Sequence, residues 1–254
     1  MIPSVQLVPV LPFPLVQPGD DLAAVILAAL EGAGLQLVAG DVLVLAQKIV
    51  SKAEGRYVTL SGVEVSAEAE QLAAEADKEP ALAQLILDES REVLRVRPGV
   101  IIVEHRLGYV HANAGIDRSN LPGEEEAAVL LLPENPDASA AALRSALENA
   151  FEPGLAVIIN DSAGRAWRQG TQGFALGCSG ITPLEDQVGR PDLFGRPLEV
   201  TEVAVADEMA AAASMVMGQA DQGCPAVVVR GANWQPSEQG SASLLRPREM
   251  DMFR

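Results

Sequence analysis

The sequence runs to 254 residues, with 35 acidic side chains against 18 basic ones, a formal net charge of −17, 48% hydrophobic residues and 21% charged. That length suits one large domain or two small ones with a substantial core, and the composition excludes a disordered chain. The acidity argues against polymeric nucleic acid or an anionic membrane surface as the main partner, since both need a broad basic face.

From the N-terminus, the proline-broken start has neither the positive charge nor the apolar run of a secretory signal. No apolar stretch approaches the ~20 residues that span a bilayer, so a cytoplasmic protein is expected. Asp20 is placed to cap a helix over 21–31. Val42-Leu43-Val44-Leu45-Ala46 reads as a buried strand. The alanine- and glutamate-rich stretch from Ser66 to Leu94 reads as two helices, with Pro80 near the start of the second. Residues 100–103 and 109–112 form two strand candidates around Leu107-Gly108, and a helix is expected over 137–150 after Pro136-Asp137. Leu155 to Ile159 is a second buried strand ending at Asn160-Asp161. The glycine-dotted segment 162–200 predicts strands joined by tight turns. A helix over 202–217 and a strand over 226–229 follow, then a polar tail in which Leu244-Leu245 and Met252-Phe253 are candidates to dock. Strands and helices mix without a regular βαβ beat, which favours α+β over a doubly wound sheet.

Several chemistries are absent. The sequence has no P-loop, no G-x-G-x-x-G after a strand, no H-E-x-x-H and no G-x-S-x-G. Cys178 and Cys224 have no metal or redox spacing and read as buried residues. With only His105 and His111, any metal would be held by oxygen, which favours Mg²⁺ or Mn²⁺. His105 reads as a polar strand-edge residue, Asp207-Glu208 as a solvated helix face, and Met209, Met215 and Met217 as core.

Three polar spots lie at the ends of apolar segments. In His111-Ala-Asn-Ala-Gly-Ile-Asp117-Arg-Ser-Asn120, Asp117 and Asn120 offer oxygens three residues apart; the plainer reading is an Asx-type turn into Pro122-Gly123. Asn160-Asp161-Ser162-Ala-Gly164-Arg165 is either a metal corner at a strand tip or a simple turn. Met217-Gly-Gln219-Ala-Asp221-Gln-Gly223-Cys224-Pro225 is either a ligand loop or a helix C-cap. Only three basic residues are lysine, and two of them, Lys48 and Lys52, stand four apart. They would meet phosphate oxygens as point charges, or they reflect compositional bias. Together these parts support metal-assisted phosphate chemistry without choosing a substrate.

Six segments in order resemble the coenzyme F-420-0:L-glutamate ligase (gamma-glutamyl ligase) family: Lys48 to Arg56, Ala112 to Asn120, Leu130 to Ser139, Asp161 to Arg168, Ala204 to Glu208 and Pro225 to Gly231. The likeness runs from Pro9 to Phe253 and implies an intertwined, two-lobed, mixed-sheet α+β fold that is not a Rossmann fold. The resemblance also leads us to expect 1–254 to be one ligase unit, single or built of two interleaved subdomains, of the stand-alone form and not the form fused to a nitroreductase-like domain in some bacterial members. The implied reaction uses GTP to activate a carboxylate of a deazaflavin precursor as an acyl phosphate, which the α-amine of L-glutamate then attacks. Further glutamates are added by γ-linkage.

Carried over by position, Asp117 and Asp161 are the catalytic carboxylates and ligands of the first divalent ion, Mg²⁺ or Mn²⁺. Ser162 stands where the family commonly has threonine, and Gln219 where an archaeal-type member has a glutamate; both are candidates for a second ion, and the resemblance also admits K⁺. Leu11, Pro12, Phe13, Pro14, Gln47, Lys48, Lys52, Asn120 and the loop Met217, Gly218, Gln219, Ala220, Asp221, Gln222, Gly223 and Cys224 match GTP-contacting segments. The partners implied are GTP, L-glutamate, the deazaflavin precursor and a second copy of the chain as a homodimer. Two rival readings are a related ligase with another acceptor and a non-catalytic nucleotide-binding homologue.

Overall fold

A computed structural model describes residues 4–121 and 128–252. In chain order the elements are β1 (Gln6–Pro9), α1 (Leu22–Gly32), β2 (Val42–Ala46), α2 (Gln47–Ala53), β3 (Tyr57–Thr59), α3 (Ala67–Ala76), α4 (Pro80–Asp88), β4 (Ser90–Arg97), β5 (Val100–His105) and β6 (Val110–Ala112). They continue with β7 (Ala128–Leu130), α5 (Pro136–Ala150), β8 (Ala156–Arg165), β9 (Arg168–Ser179), β10 (Glu185–Asp186), β11 (Glu202–Val203), α6 (Val205–Met217) and β12 (Ala226–Arg230). The fold is mixed α+β. The turn expected at Pro122-Gly123 and the docking of Phe253 lie outside the described residues.

The main sheet has the order β1-β12-β2-β8-β9, antiparallel throughout except for β2 beside β8. β2, β12 and the first half of β8 are apolar at nearly every position because both faces are covered there. Alternation divides them: Leu43, Leu45, Val157 and Ile159 pack with α1 and α5, while Val42, Val44, Ala156 and Ile158 pack with α6. A second, smaller core lies between α3, α4 and the three-stranded sheet β4-β5-β6, with Val129 of β7 joining it. Among the described residues no helix is long and apolar enough to cross a membrane.

Several boundaries differ from the sequence reading. Asp21, not Asp20, caps α1, accepting from the Ala24 N–H at 3.1 Å. Asp20 instead accepts from the Gln17 N–H at 2.7 Å, fixing the approach to the helix. Helix α4 stops at Asp88, and the β-branched, charged run that follows is β4. The α6 helix begins at Val205, after the short strand β11. Most important for the site, the strand expected to end at Asn160 continues to Arg165, because β9 pairs with it along its whole length. Asp161 and Ser162 are therefore strand residues.

Three residue readings change as well. His105 is fully buried, its Nδ1 accepting the Leu107 N–H at 3.1 Å. Asp207 is half-buried and accepts the Ala175 N–H at 2.8 Å; burial pushes its carboxyl above the usual range. Met215 is 77% exposed whereas Met209 and Met217 are core. Both cysteines are buried and free, as expected, and burial pushes Cys178 up to about 12. In the tail Leu244 and Leu245 pack on the core, while Met252 is 90% exposed.

Candidate active site

The site lies where β2 ends beside β8, the one parallel pair among these sheets, Ala46 being opposite Asn160, while β8 runs on to Arg165. From Asn160 onward the alternation of β8 delivers polar groups to opposite faces. Asn160 points toward α6, donating from Nδ2 to Ser214 Oγ at 3.0 Å. Asp161 points the other way, toward His111 of β6, whose Nε2 is 3.3 Å from Asp161 Oδ2 without the alignment of a hydrogen bond. The second Asp161 oxygen accepts the Ser162 N–H at 2.7 Å.

Helix α2 follows β2 without a loop and carries Gln47, Lys48 and Lys52 to the same edge. Asp117 reaches them from the loop after β6. That loop begins with a left-handed turn at Asn113, Ala114 and Gly115 (φ 51°, 54° and 68°), closed by the Ile116 N–H donating to the Asn113 carbonyl at 3.0 Å. The Asn113 side chain ties the turn to β5 by accepting the Ile101 N–H at 3.0 Å. Asp117 is then fixed by reciprocal backbone hydrogen bonds with Leu130, both 2.9 Å.

Around this frame, Lys48 Nζ is 2.8 Å from Asp117 Oδ1, and Gln47 Nε2 donates to Asp117 Oδ2 at 2.6 Å. Lys48 also donates to Ser119 Oγ at 3.1 Å. Lys52 donates to the Asn120 carbonyl at 2.7 Å, and Asn120 Nδ2 donates in turn to the Ala220 carbonyl at 3.2 Å. Asn120 thus bridges α2 to the loop after α6.

A cavity of about 580 Å³ opens here. Phe13, Pro14, Gln47, Lys48, Lys52, Asn120, Asp161, Ser162 and the whole loop from Met217 to Cys224 line it. Of the residues expected at the site, Leu11, Pro12 and Asp117 do not line it. Leu11 and Pro12 precede the segment that turns inward, and Asp117, partly exposed, is turned onto Gln47 and Lys48. The sequence reading missed Leu15, Val16 and Gln17, and it named Asn160 and His111 only as members of polar segments, without a place on the α6 face or behind Asp161. Once β8 is known to continue, its period of two would have signalled Asn160; His111 needed the three-dimensional contact between β6 and β8.

The electrostatics follow from this packing. Burial raises the Asp117 carboxyl, Lys48 opposes this, and the nearby Asp161 charge adds to the rise. Burial, and then neighbouring Lys48, pull the Lys52 ammonium below its usual range. Burial would lower His111, but the Asp161 carboxylate, the Ala112 carbonyl and Asp117 outweigh it and hold the imidazole above its ordinary value. Asn160 Oδ1 is buried without a hydrogen-bond partner.

Two carboxylates within electrostatic reach, a hydroxyl and an orphaned amide oxygen form a hard, oxygen-only donor set suited to Mg²⁺ or Mn²⁺. Asp161 and Ser162 line the cavity and offer such an ion a carboxylate and a hydroxyl, while the Asn160 side chain is turned to α6 on the face opposite Asp161. Among the described residues no group of three or more His, Cys, Asp or Glu side chains could hold a metal, so a second ion would depend on neutral oxygens such as that of Gln219.

Residues 11–231 match the model of the F420-0:Gamma-glutamyl ligase family. The chain is 48% identical over 253 residues to the coenzyme F420:L-glutamate ligase of Methanothermobacter thermautotrophicus, covering 99% of each. It is 42% identical to the protein of the same name from Methanopyrus kandleri, covering 100% of this chain and 99% of the relative. A third, from Haloarcula marismortui, is 44% identical over 95% of this chain and 92% of its own length. The chain belongs to the F420-0:gamma-glutamyl ligase family.

Proposed function

We propose that this chain is a GTP- and divalent-cation-dependent ligase that joins the α-amine of L-glutamate to a carboxylate of the deazaflavin precursor F420-0, with later glutamates added through γ-linkages. One observation carries the reading. A single cavity gathers Lys48 and Lys52 of α2, Asp161 and Ser162 of β8 and the loop Met217–Cys224, segments far apart in sequence. The full-length relatives are named for ligation of L-glutamate.

In the proposed sequence an oxygen of the acceptor carboxylate attacks the γ-phosphorus of GTP. The bond to the β,γ-bridging oxygen breaks, leaving GDP and an acyl phosphate. The glutamate nitrogen then attacks the acyl carbon and loses a proton, and inorganic phosphate departs with the oxygen it received. Asp161, with Ser162 next to it, would hold a divalent ion, which would supply charge neutralisation on the transferring phosphoryl group. Lys52 offers a fixed positive charge, its ammonium anchored on the Asn120 carbonyl. His111 orients Asp161 from behind, and the loop after α6 walls the nucleotide space. No covalent nucleophile on the enzyme is needed, so positioning and electrostatics supply the catalysis. A homodimer and a cytoplasmic location belong to the same proposal.

The test is a coupled assay with purified protein, GTP, Mn²⁺ or Mg²⁺, L-glutamate and F420-0, read by mass spectrometry. A glutamyl mass increment with stoichiometric GDP is expected. GTP binding without any increment would overturn the proposal in favour of a non-catalytic homologue. An increment only with another acceptor would replace the substrate assignment. Asp161→Asn is expected to abolish turnover with an unchanged circular dichroism spectrum; near-normal activity would remove Asp161 from the site.

A further inference from the structure

The hairpin of β8 and β9 carries the strand of the site out of the cavity. Asp161 and Ser162 line that cavity, but no residue from Ala163 to Gln172 does. At the far end Ala166 and Trp167 make a two-residue turn, with Arg165 and Arg168 directly opposed across it.

Three features of this tip work against stability. Directly opposed residues of two strands project from one face with Cβ atoms ~5 Å apart, and like charges placed so repel each other. Arg165 is partly buried, and its Nη1 lies out of water without a hydrogen-bond partner, which is costly for a charged group. Trp167 holds φ at 63°, in the left-handed region that favours glycine, and its side chain is 88% exposed. Among the described residues no carboxylate forms an ion pair with either arginine, although the chain has 35 acidic side chains. Backbone strain of this kind gathers at ligand clamps.

The position of the tip indicates the ligand. Along β8 the side chains alternate, so Asp161, Ala163 and Arg165 share a face, and Arg165 stands about 13 Å from Asp161 along the strand. In phosphoryl transfer the attacking and leaving oxygens lie roughly in line. With the nucleotide in the cavity, the attacking carboxylate must reach Asp161 from outside it, where β8 and β9 run. The groups along the hairpin then follow the order of those along a deazaflavin acceptor. Asp161 and Ser162 stand at the reacting carboxylate, the two guanidinium groups at the phosphodiester, and the indole at the flat conjugated ring. Guanidinium forks match phosphate oxygens in pairs, and an indole face stacks on a conjugated ring. Open space beside Gly164 and Gly170 leaves room for that ring.

We propose that the tip of the β8–β9 hairpin is the acceptor platform. Trp167 stacks on the deazaflavin ring, and Arg165 and Arg168 clamp the phosphodiester that links the ring to the reacting carboxylate. The inference rests on the ligase reading above and adds to it the residues that read the acceptor.

The test measures F420-0 binding to the full chain by calorimetry in the presence of GDP and Mg²⁺, together with steady-state kinetics and thermal unfolding. Trp167→Ala and Arg168→Gln are each expected to weaken F420-0 binding about tenfold or more and to raise its KM, with the KM for GTP changed by less than about twofold. Trp167→Phe keeps an aromatic face and is expected to lose roughly threefold or less. Added salt is expected to weaken F420-0 binding to the wild type more than to Arg168→Gln. Trp167→Gly relieves the positive φ, so its Tm is expected to match or exceed that of the wild type while its F420-0 affinity falls. A purely structural tryptophan would lose both. Unchanged F420-0 affinity in Trp167→Ala or in Arg168→Gln would overturn the inference and leave the ligase proposal standing. So would equal losses of F420-0 and GTP affinity with dissociation of a dimer, which would make the tip an interface between copies. Failure of the wild type to bind F420-0 at all would overturn the ligase reading and this inference together.

Discussion

Gly115 shows how narrowly the chain beneath Asp117 is specified. Its φ of 68° lies in the left-handed region, and a Cβ there would come within 2.8 Å of Leu132 Cδ1. The conformation alone costs a side-chain-bearing residue ~1–2 kcal/mol, and overpacking adds ~1–3 kcal/mol. Gly115→Ala is therefore expected to lower stability by about 2–4 kcal/mol, measured by denaturant unfolding, and to move Asp117 relative to Lys48. Unchanged stability would show that the turn relaxes freely. At this scale the sequence was informative about small residues near a carboxylate. It could not show that Asn113 and Ala114 share the left-handed turn, since a positive φ at alanine is paid for by contacts elsewhere in the fold: Ala114 is completely buried in the smaller core.

Among the elements, the end of α4 carries an ionic network that joins the smaller core to the helix of the site. Glu89 caps that end, with Arg106 Nε at 3.0 Å, Arg56 Nη2 at 3.1 Å and the His105 Nε2 at 3.3 Å. Arg56 lies just beyond α2 and also donates to the Leu132 carbonyl at 2.9 Å. Burial alone would raise the Glu89 carboxyl, but the His105 ring, Arg106 and Arg56 outweigh it and hold it at about 2. A carboxyl depressed in the folded state contributes stability above its unfolded value near 4.5 and loses it as pH falls toward 2. Burial also lowers His105 below 6.5, so its contribution fades in the same direction as pH drops beneath that value. Thermal unfolding between pH 5 and 2 is expected to show a loss on the order of 2 kcal/mol that Glu89→Gln removes, allowing for solvent screening of the network. An identical acid profile in the variant would sever the link. Long periodic or uniformly apolar elements were legible in the sequence: β2, α5 and the buried half of β8 lie where pattern put them. β1, β3 and β7 were not, because three or four residues carry too little period and such strands exist only through their partners.

Over the whole molecule, the charge of −17 and the proposed anionic substrates meet in one small cavity. Self-repulsion of the acidic surface is long-ranged and screened by salt, whereas Lys48, Lys52 and a bound divalent ion act at contact distance. Nucleotide with Mn²⁺ at about 100 times its dissociation constant is expected to stabilise the fold by ~2.7 kcal/mol. For a chain of this size that is a rise in Tm of roughly 5–10 °C. The same nucleotide without Mn²⁺ is expected to give a smaller rise, and equal shifts in differential scanning calorimetry would separate the nucleotide from the metal. The architecture class was legible from the irregular mixture of strands and helices. Which segments converge was not, because the site is assembled across 70 residues between Gln47 and Asp117 and about 100 between Asn120 and Ala220.

The pairing of β8 with β9 has a consequence for how this chain can vary. Ile159 faces Gly177 but Asn160 faces Ala175, so β9 carries one extra residue, Leu176, just where the site begins. Leu176 is buried in the core beside α5, and Gly177 follows against Pro136 of α5, where a Cβ would lie 2.4 Å from backbone. From there to Thr171, where a second irregularity precedes the tip, every side chain of β9 takes its face from that bulge. Deleting one residue between Gly173 and Gly177 would turn the outer half of β9 over and drive a side chain against Ser214 and Asn160, where only Gly173 fits. Insertions or deletions of two residues at the tip near Trp167 preserve every face. Length variation in this hairpin is thus confined to even steps at its far end, and the bulge serves as the fixed origin from which the site's strand is counted.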